Sequence, residues 1–211
     1  MQSVCLRRTK DVLLNLPEKV EHAVVVQHNS HWEQYSRELH ASFIRDFGRL
    51  RTSEKQWDGA EFFRQLTMLR QFCNHPMFAR EELPIQVSWR WQDSAKIVHL
   101  IDSLLAFVGG GREIQHPKAV VFSSFVGFLE IIGHALEESH MEFTWLTGNL
   151  SVGQRDENLN KFRGVSHCHV LLASLQAAGV GIDLRCAQNV YLMACSFPLF
   201  QTGKTRRSST S

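Results

Sequence analysis

The stretch VLLASLQAAGVGIDL, residues 170–184, sets the terms on which the rest of the chain is read. Its apolar opening, VLLA, stops at Ser174, passes through small residues and glycines, and then turns apolar again. A short apolar run with no polar side is the pattern of a strand buried on both faces. The exit of small residues serves one of two ends. Either backbone packs closely on backbone, or a phosphate-bearing ligand comes close to the chain.

Working outward, the same pattern recurs at AVVF (119–122), FTWL (143–146) and NVYLM (189–193). Between these runs lie helical spacings. Phe128, Leu129, Ile132, Ala135 and Leu136 share one face, and Ser151 with Gln154 has capping-box spacing ahead of Leu159 and Phe162. Apolar strands alternating with helices predict an α/β fold, a parallel sheet with helices on both faces.

Upstream the chain reads as helical. Trp32, Tyr35, Leu39, Phe43 and Phe47 recur at steps of three and four, and Phe62, Phe63, Leu66, Leu69 and Phe72 mark a second helix. Asn74-His75-Pro76 ends that helix, because proline disfavours helical backbone at the residue before it. Ser94 is the expected N-cap of a third helix carrying Ile97, Leu100, Ile101, Leu104 and Leu105, closed by Gly109-Gly110-Gly111. The expected division is a helical subdomain and connector at 1–112, a sheet lobe at 113–198 and a disordered tail at 199–211.

Composition excludes some functions. With 44% hydrophobic and 21% charged residues the chain is an ordinary globular protein, and no apolar stretch approaches a membrane span. A net charge of +2 is too small to attract nucleic acid by itself, so any DNA contact must be local. MQSVCLRRTKD lacks the apolar core of a secretory signal. Five cysteines at 5, 73, 168, 186 and 195, with no CxxC, point to reduced thiols in cytosol or nucleus. Arg206-Arg207 hints weakly at nuclear import.

Ligands of open parallel sheets sit beyond the carboxyl ends of the strands. Those ends are Ser123-Ser124, Thr147-Gly148 and Ser174. Three exits into hydroxyl residues or glycine suggest an edge that takes phosphates through hydroxyls and backbone N–H groups. Cys73-Asn74-His75 and His167-Cys168-His169 lack a second pair at zinc spacing and read as structural. Arg155 and Lys161 read as a solvated face or as DNA contacts, and Trp89 and Trp91 alternate like strand residues packing a connector.

In order along the chain, LRRTKDVLLNLPEK (6–19), LRQFCNHP (69–76), KAVVFSSF (118–125), LTGNLSVGQRDENLNKF (146–162) and VLLASLQAAGVGIDL (170–184) resemble the blocks of the C-terminal lobe of Swi/Snf-type helicase-like ATPases of superfamily two. The nearest look-alikes are the helicase-like transcription factor and postreplication-repair branch and the transcription-terminator branch. The resemblance implies a RecA-like lobe that closes ATP and Mg²⁺ against a second, Walker-bearing lobe. It implies double-stranded DNA, free or in nucleosomes, as partner, and a nuclear protein. Carried over, Ser123, Ser124, Thr147, Gly148 and Ser174 would contact DNA phosphates, while Gly179, Gly181 and Asp183 would edge the nucleotide.

There are departures. The family usually has Gly-Gly-Val-Gly-Leu-Asn where this chain has Ala178 to Asp183, so a carboxylate stands in place of an amide. After VYLMACSFP the family's arginine-bearing motif VI is absent, and with it the arginine that would stabilise the transferring phosphoryl group. GKT at 203–205 is not a P-loop, since the required upstream glycine is Pro198. The stretch 77–93 holds no cysteine or histidine, so the zinc-binding RING of the postreplication-repair branch is not expected, and no zinc with it. The expectation is an ATPase lobe inactive on its own. A non-enzymatic DNA- or partner-binding module is the alternative, and an unstable truncated sheet a third.

Overall fold

The computed structural model describes residues 22–48, 59–79, 88–110, 115–178 and 181–194. The block at 6–19, Cys5, Cys195, Gly179 and the tail lie outside the described residues. In chain order the elements are α1 (Ser30–Gly48), α2 (Gly59–Phe72), short 3-10 turns at Pro76–Ala79 and Trp91–Asp93, then α3 (Ala95–Gly109). The sheet part follows as β1 (Ala119–Ser123), α4 (Val126–Glu138), β2 (Phe143–Leu146), α5 (Val152–Gly164), β3 (Val170–Ser174) and β4 (Asn189–Ala194).

Among the described residues the four strands form one sheet in the order β2-β3-β1-β4, all pairs parallel. Because side chains alternate along a strand, each apolar run feeds two cores. Ala119, Val121, Val170 and Leu172 face α3 and α4, where they meet Ile97, Leu100, Leu104, Phe128, Leu129, Ile132 and Leu136. Val120, Leu171 and Ala173 face the other way, onto Leu159 and Phe162 of α5. The sheet is therefore covered on both faces, as the apolar runs predict. Cover thins at β4, where Val190 and Leu192 are 59% and 64% exposed.

Helix boundaries follow local chemistry. Ser94 caps α3 by accepting from the Ile97 N–H, and Ser151 with Gln154 closes a reciprocal capping box at α5. Gly133 lies where α4 crosses β2, and a Cβ there would stand 2.8 Å from the Trp145 ring. Lys118, nearly fully buried, spends its ammonium on the carbonyls of Val165 and Cys168, joining the start of β1 to the approach to β3.

The helical part docks through Met77, Phe78 and Trp91, which pack against the α3–α4 core. Trp32 of α1 is buried, stacks on Trp89 with ring centroids 5.3 Å apart and donates to the Asp93 carboxylate. The Trp89–Trp91 segment is a packed connector, as expected, but its second half is a 3-10 turn rather than a strand. Phe63, placed by its spacing on the apolar face of α2, is 56% exposed.

Candidate phosphate-binding edge of the sheet

The parallel register brings the strand ends together. Ser123 pairs with Ser174 across β1 and β3, and Leu146 pairs with Ala173 across β2 and β3, so Thr147 follows at the level of Ser174. With strands about 4.8 Å apart, Thr147, Ser174 and Ser123 form a row about 10 Å long. Gly148 and Ser124 stand one residue further out. Five sequence-expected residues are thus traced to a single edge, and Gly181 lies further along the chain that leaves β3.

Their hydroxyls are not equally available. Ser123 is 0% exposed, accepts from the Phe125 N–H at 3.0 Å and donates to the Phe125 carbonyl at 3.3 Å, so it holds the turn leaving β1. Ser174, 5% exposed, accepts from the Ala177 N–H and holds the turn leaving β3 in the same way. Thr147 is 8% exposed, Ser124 half-buried and Gly148 exposed with open space where a Cβ would stand. Gly148 is the exposed member of this edge, and Ser123 and Ser174 shape it from beneath through the turns they hold.

The loop from Leu175 to Leu184 is fastened by arginines of α5. Arg155 donates to the Ala177 carbonyl, and Arg163 donates to the Asp183 carbonyl through Nε and Nη2 at 3.2 and 2.9 Å. Sequence spacing left Arg155 as either a solvated charge or a DNA contact, and its geometry makes it a fastening of the loop. Lys161 pairs with Glu142 at 3.5 Å. No periodicity signals these long-range contacts.

Gly181 has φ of +76°, a left-handed backbone that favours glycine, and nothing within 4 Å of a would-be Cβ, so a ligand can approach its backbone closely. Asp183 is engaged from within. Arg185 grips both its carboxylate oxygens at 2.7–3.1 Å, and this pairing holds the carboxyl down to about 2. Among the described residues no group of three His, Cys, Asp or Glu side chains is placed to hold a metal ion, and no helix is long and apolar enough to cross a membrane.

Comparison with known proteins agrees with this architecture. Residues 95–204 match the family model described as helicase conserved C-terminal domain, and residues 1–78 match the SNF2-related domain. The first match takes in α3 together with the sheet, as the shared core does. DNA repair protein rad8 of Schizosaccharomyces pombe is 34% identical over 112 residues, covering 51% of this chain and 10% of that protein. DNA repair protein rad5 of Neurospora crassa is 40% identical over 102 residues, covering 47% of this chain and 8% of that one. The chain therefore spans about a tenth of the length of these relatives. The Sulfolobus solfataricus SWI2/SNF2 ATPase core solved in complex with dsDNA superposes with a TM-score of 0.68 at 23% identity, covering 89% of this chain and 38% of that one, a likeness of fold.

Proposed function

The chain belongs to the helicase conserved C-terminal domain family in its Swi/Snf-type form, and from that premise we propose that it is the C-terminal lobe of an ATP-dependent double-stranded-DNA translocase acting in DNA repair or chromatin remodelling. The observation that carries the proposal is the row of strand ends, Thr147, Ser174 and Ser123 in adjacent register, with Gly148 and Ser124 outermost. Such a row meets a phosphate backbone without reading bases, which is what motion along any sequence needs. The duplex held by the structurally similar Sulfolobus core supports double-stranded DNA as the ligand. The relatives' designation as DNA repair proteins supports a role in repair, and in this reading the site of action is nuclear, with nucleosomal DNA among the substrates.

In this reading ATP and Mg²⁺ are held chiefly by a second lobe bearing the Walker residues. Bound there, the nucleotide would supply a hydrolysable phosphoanhydride. This chain would add the backbone at Gly179 and Gly181 and the position of Asp183 along the edge of the cleft. Arg155 and Arg163 keep that loop in place, which is positioning rather than chemistry. The 211-residue chain by itself is expected to show no ATP hydrolysis, with or without duplex DNA. A DNA-stimulated ATPase rate from the purified chain would overturn the assignment of the hydrolytic groups to a second lobe.

A specific feature favours a second reading, a non-enzymatic DNA-binding module. The carboxylate of Asp183 stands where the family usually has an amide and is paired with Arg185, so that position has no amide to offer a nucleotide. Tight ATP binding in the presence of a Walker-bearing lobe separates the two readings. It is expected of the translocase lobe and not of the module.

A further inference from the structure

Away from the strand ends, a cavity of about 220 Å³ lies where the C-terminal end of α2 meets the N-terminal end of α3. Its wall includes His28, Phe72, Cys73, Asn74, Ser94 and Lys96. Three features favour an anionic guest there. Asn74 is 3% exposed and accepts from Lys96 Nζ through Oδ1 at 2.9 Å, but its Nδ2 has no hydrogen-bond partner. A buried amide donor left open is uncommon in folded proteins and calls for an acceptor. Lys96 is half-buried, its neutral partner is an amide oxygen, and no carboxylate among the described residues pairs with it. Burial pushes its ammonium down from the usual lysine range, the sign of a charge short of compensation. The third feature is the N-terminus of the 15-residue α3, whose dipole points its positive end here.

The carboxylate of Asp93 also lines the cavity. Asp93 accepts from Trp32 Nε1 and from the Arg90 N–H. His28 is held below its ordinary value by burial and then by the Lys96 charge, so it is neutral near pH 7. Phe72 forms an apolar side of the cavity, which favours one small charged group over a polyphosphate.

We infer that this cavity is an oxyanion site, receiving a single carboxylate or phosphate group on Lys96 Nζ and the Asn74 Nδ2 donor at the start of α3. It shares no residue with the strand-end row and stands whether or not that edge binds DNA.

The test is a ¹⁵N NMR titration of the full 211-residue chain with sodium phosphate and, separately, sodium acetate, each against chloride at matched ionic strength. The Asn74 side-chain NH₂ and Lys96 amide resonances are expected to move saturably, with half-saturation on the order of 1 mM. Response to phosphate alone, acetate alone or both names the source of the oxyanion. Asn74→Asp supplies a carboxylate from within and is expected to abolish the response while the spectrum stays dispersed. Lys96→Gln abolishes it too, and Lys161→Gln leaves it unchanged. Resonances that move no more than in chloride, or an unchanged response in Asn74→Asp, overturn the inference.

Discussion

Arg155 of α5 donates from Nη2 to the carbonyl of Ala177, 2.5 Å away, so the loop leaving β3 is held by the helix that precedes that strand. Twenty-two residues separate the two groups in sequence, and Arg163 repeats the arrangement at Asp183. Removing the guanidinium in Arg155→Met is expected to cost about 1 kcal/mol, the scale of a partly exposed charge-assisted hydrogen bond. The more telling effect is local. Amide exchange should quicken at Ala177 and Ala178 while Leu171 and Leu172 in the core stay protected. Uniform quickening across the sheet would mean that Arg155 supports the whole lobe rather than the loop.

The capping box at α5 gives a cleaner stability prediction. Ser151→Ala removes the acceptor of the Gln154 N–H and is expected to destabilise the lobe by about 1 kcal/mol. Urea unfolding should show a lower midpoint with an unchanged slope. Ser151→Gly should lose only a few tenths of a kcal/mol, since glycine at an N-cap leaves the backbone open to water.

Gly133→Ala pits helix propensity against packing. Alanine favours a helix interior by about 1 kcal/mol over glycine, yet its methyl would stand 2.8 Å from the Trp145 ring. Overpacking of this kind costs about 1–3 kcal/mol, so the variant is expected to be destabilised, with a shift in tryptophan emission as Trp145 moves. A stabilised variant would show that the indole yields freely.

His75 carries a pH dependence. Its Nδ1 accepts from the Met77 N–H, which leaves the proton on Nε2, where it donates to the Arg90 carbonyl at 3.0 Å. Burial lowers its tendency to protonate, against weaker opposing effects from the Arg90 carbonyl and Asp93. With the folded value below the ordinary 6.5, its contribution is fully present above 6.5 and is lost as pH falls through the lower folded value. Ring ¹⁵N spectra at pH about 6.5, where an unperturbed imidazole is half charged, should find His75 more neutral than charged, with the neutral form protonated on Nε2. A charged ring at that pH would contradict the hydrogen-bond assignment.

Much of this was legible in the residues. The strands at 119 and 170 announce themselves because a strand buried on both faces must be apolar at every position, the runs at 143 and 189 are apolar although one face is less covered, and Ser94 and Ser151 announce the helices they cap. The row of strand ends follows from parallel register. Local pattern could not show which hydroxyls the fold consumes. Ser123 and Ser124 are adjacent and chemically identical, and only the turn geometry makes the first a buried fastening. Nor could it show that Arg155 reaches Ala177 or that Asn74 keeps an open donor, since both depend on contacts between distant segments. Phe63 is exposed because amphipathic spacing fixes a face only to within one residue.

The central claim, that the strand-end edge meets a DNA backbone, is tested most directly by duplex binding before and after removal of the edge hydroxyls. Anisotropy of a labelled random-sequence duplex with the 211-residue chain should show binding, and because hydroxyls and backbone N–H groups neutralise no phosphate, the edge itself adds no counterion release to its salt dependence. Scrambling the sequence should leave the affinity unchanged, and the double variant Ser124→Ala with Thr147→Val should weaken it several-fold. Absence of duplex binding, or binding that the double variant leaves untouched, would contradict the account.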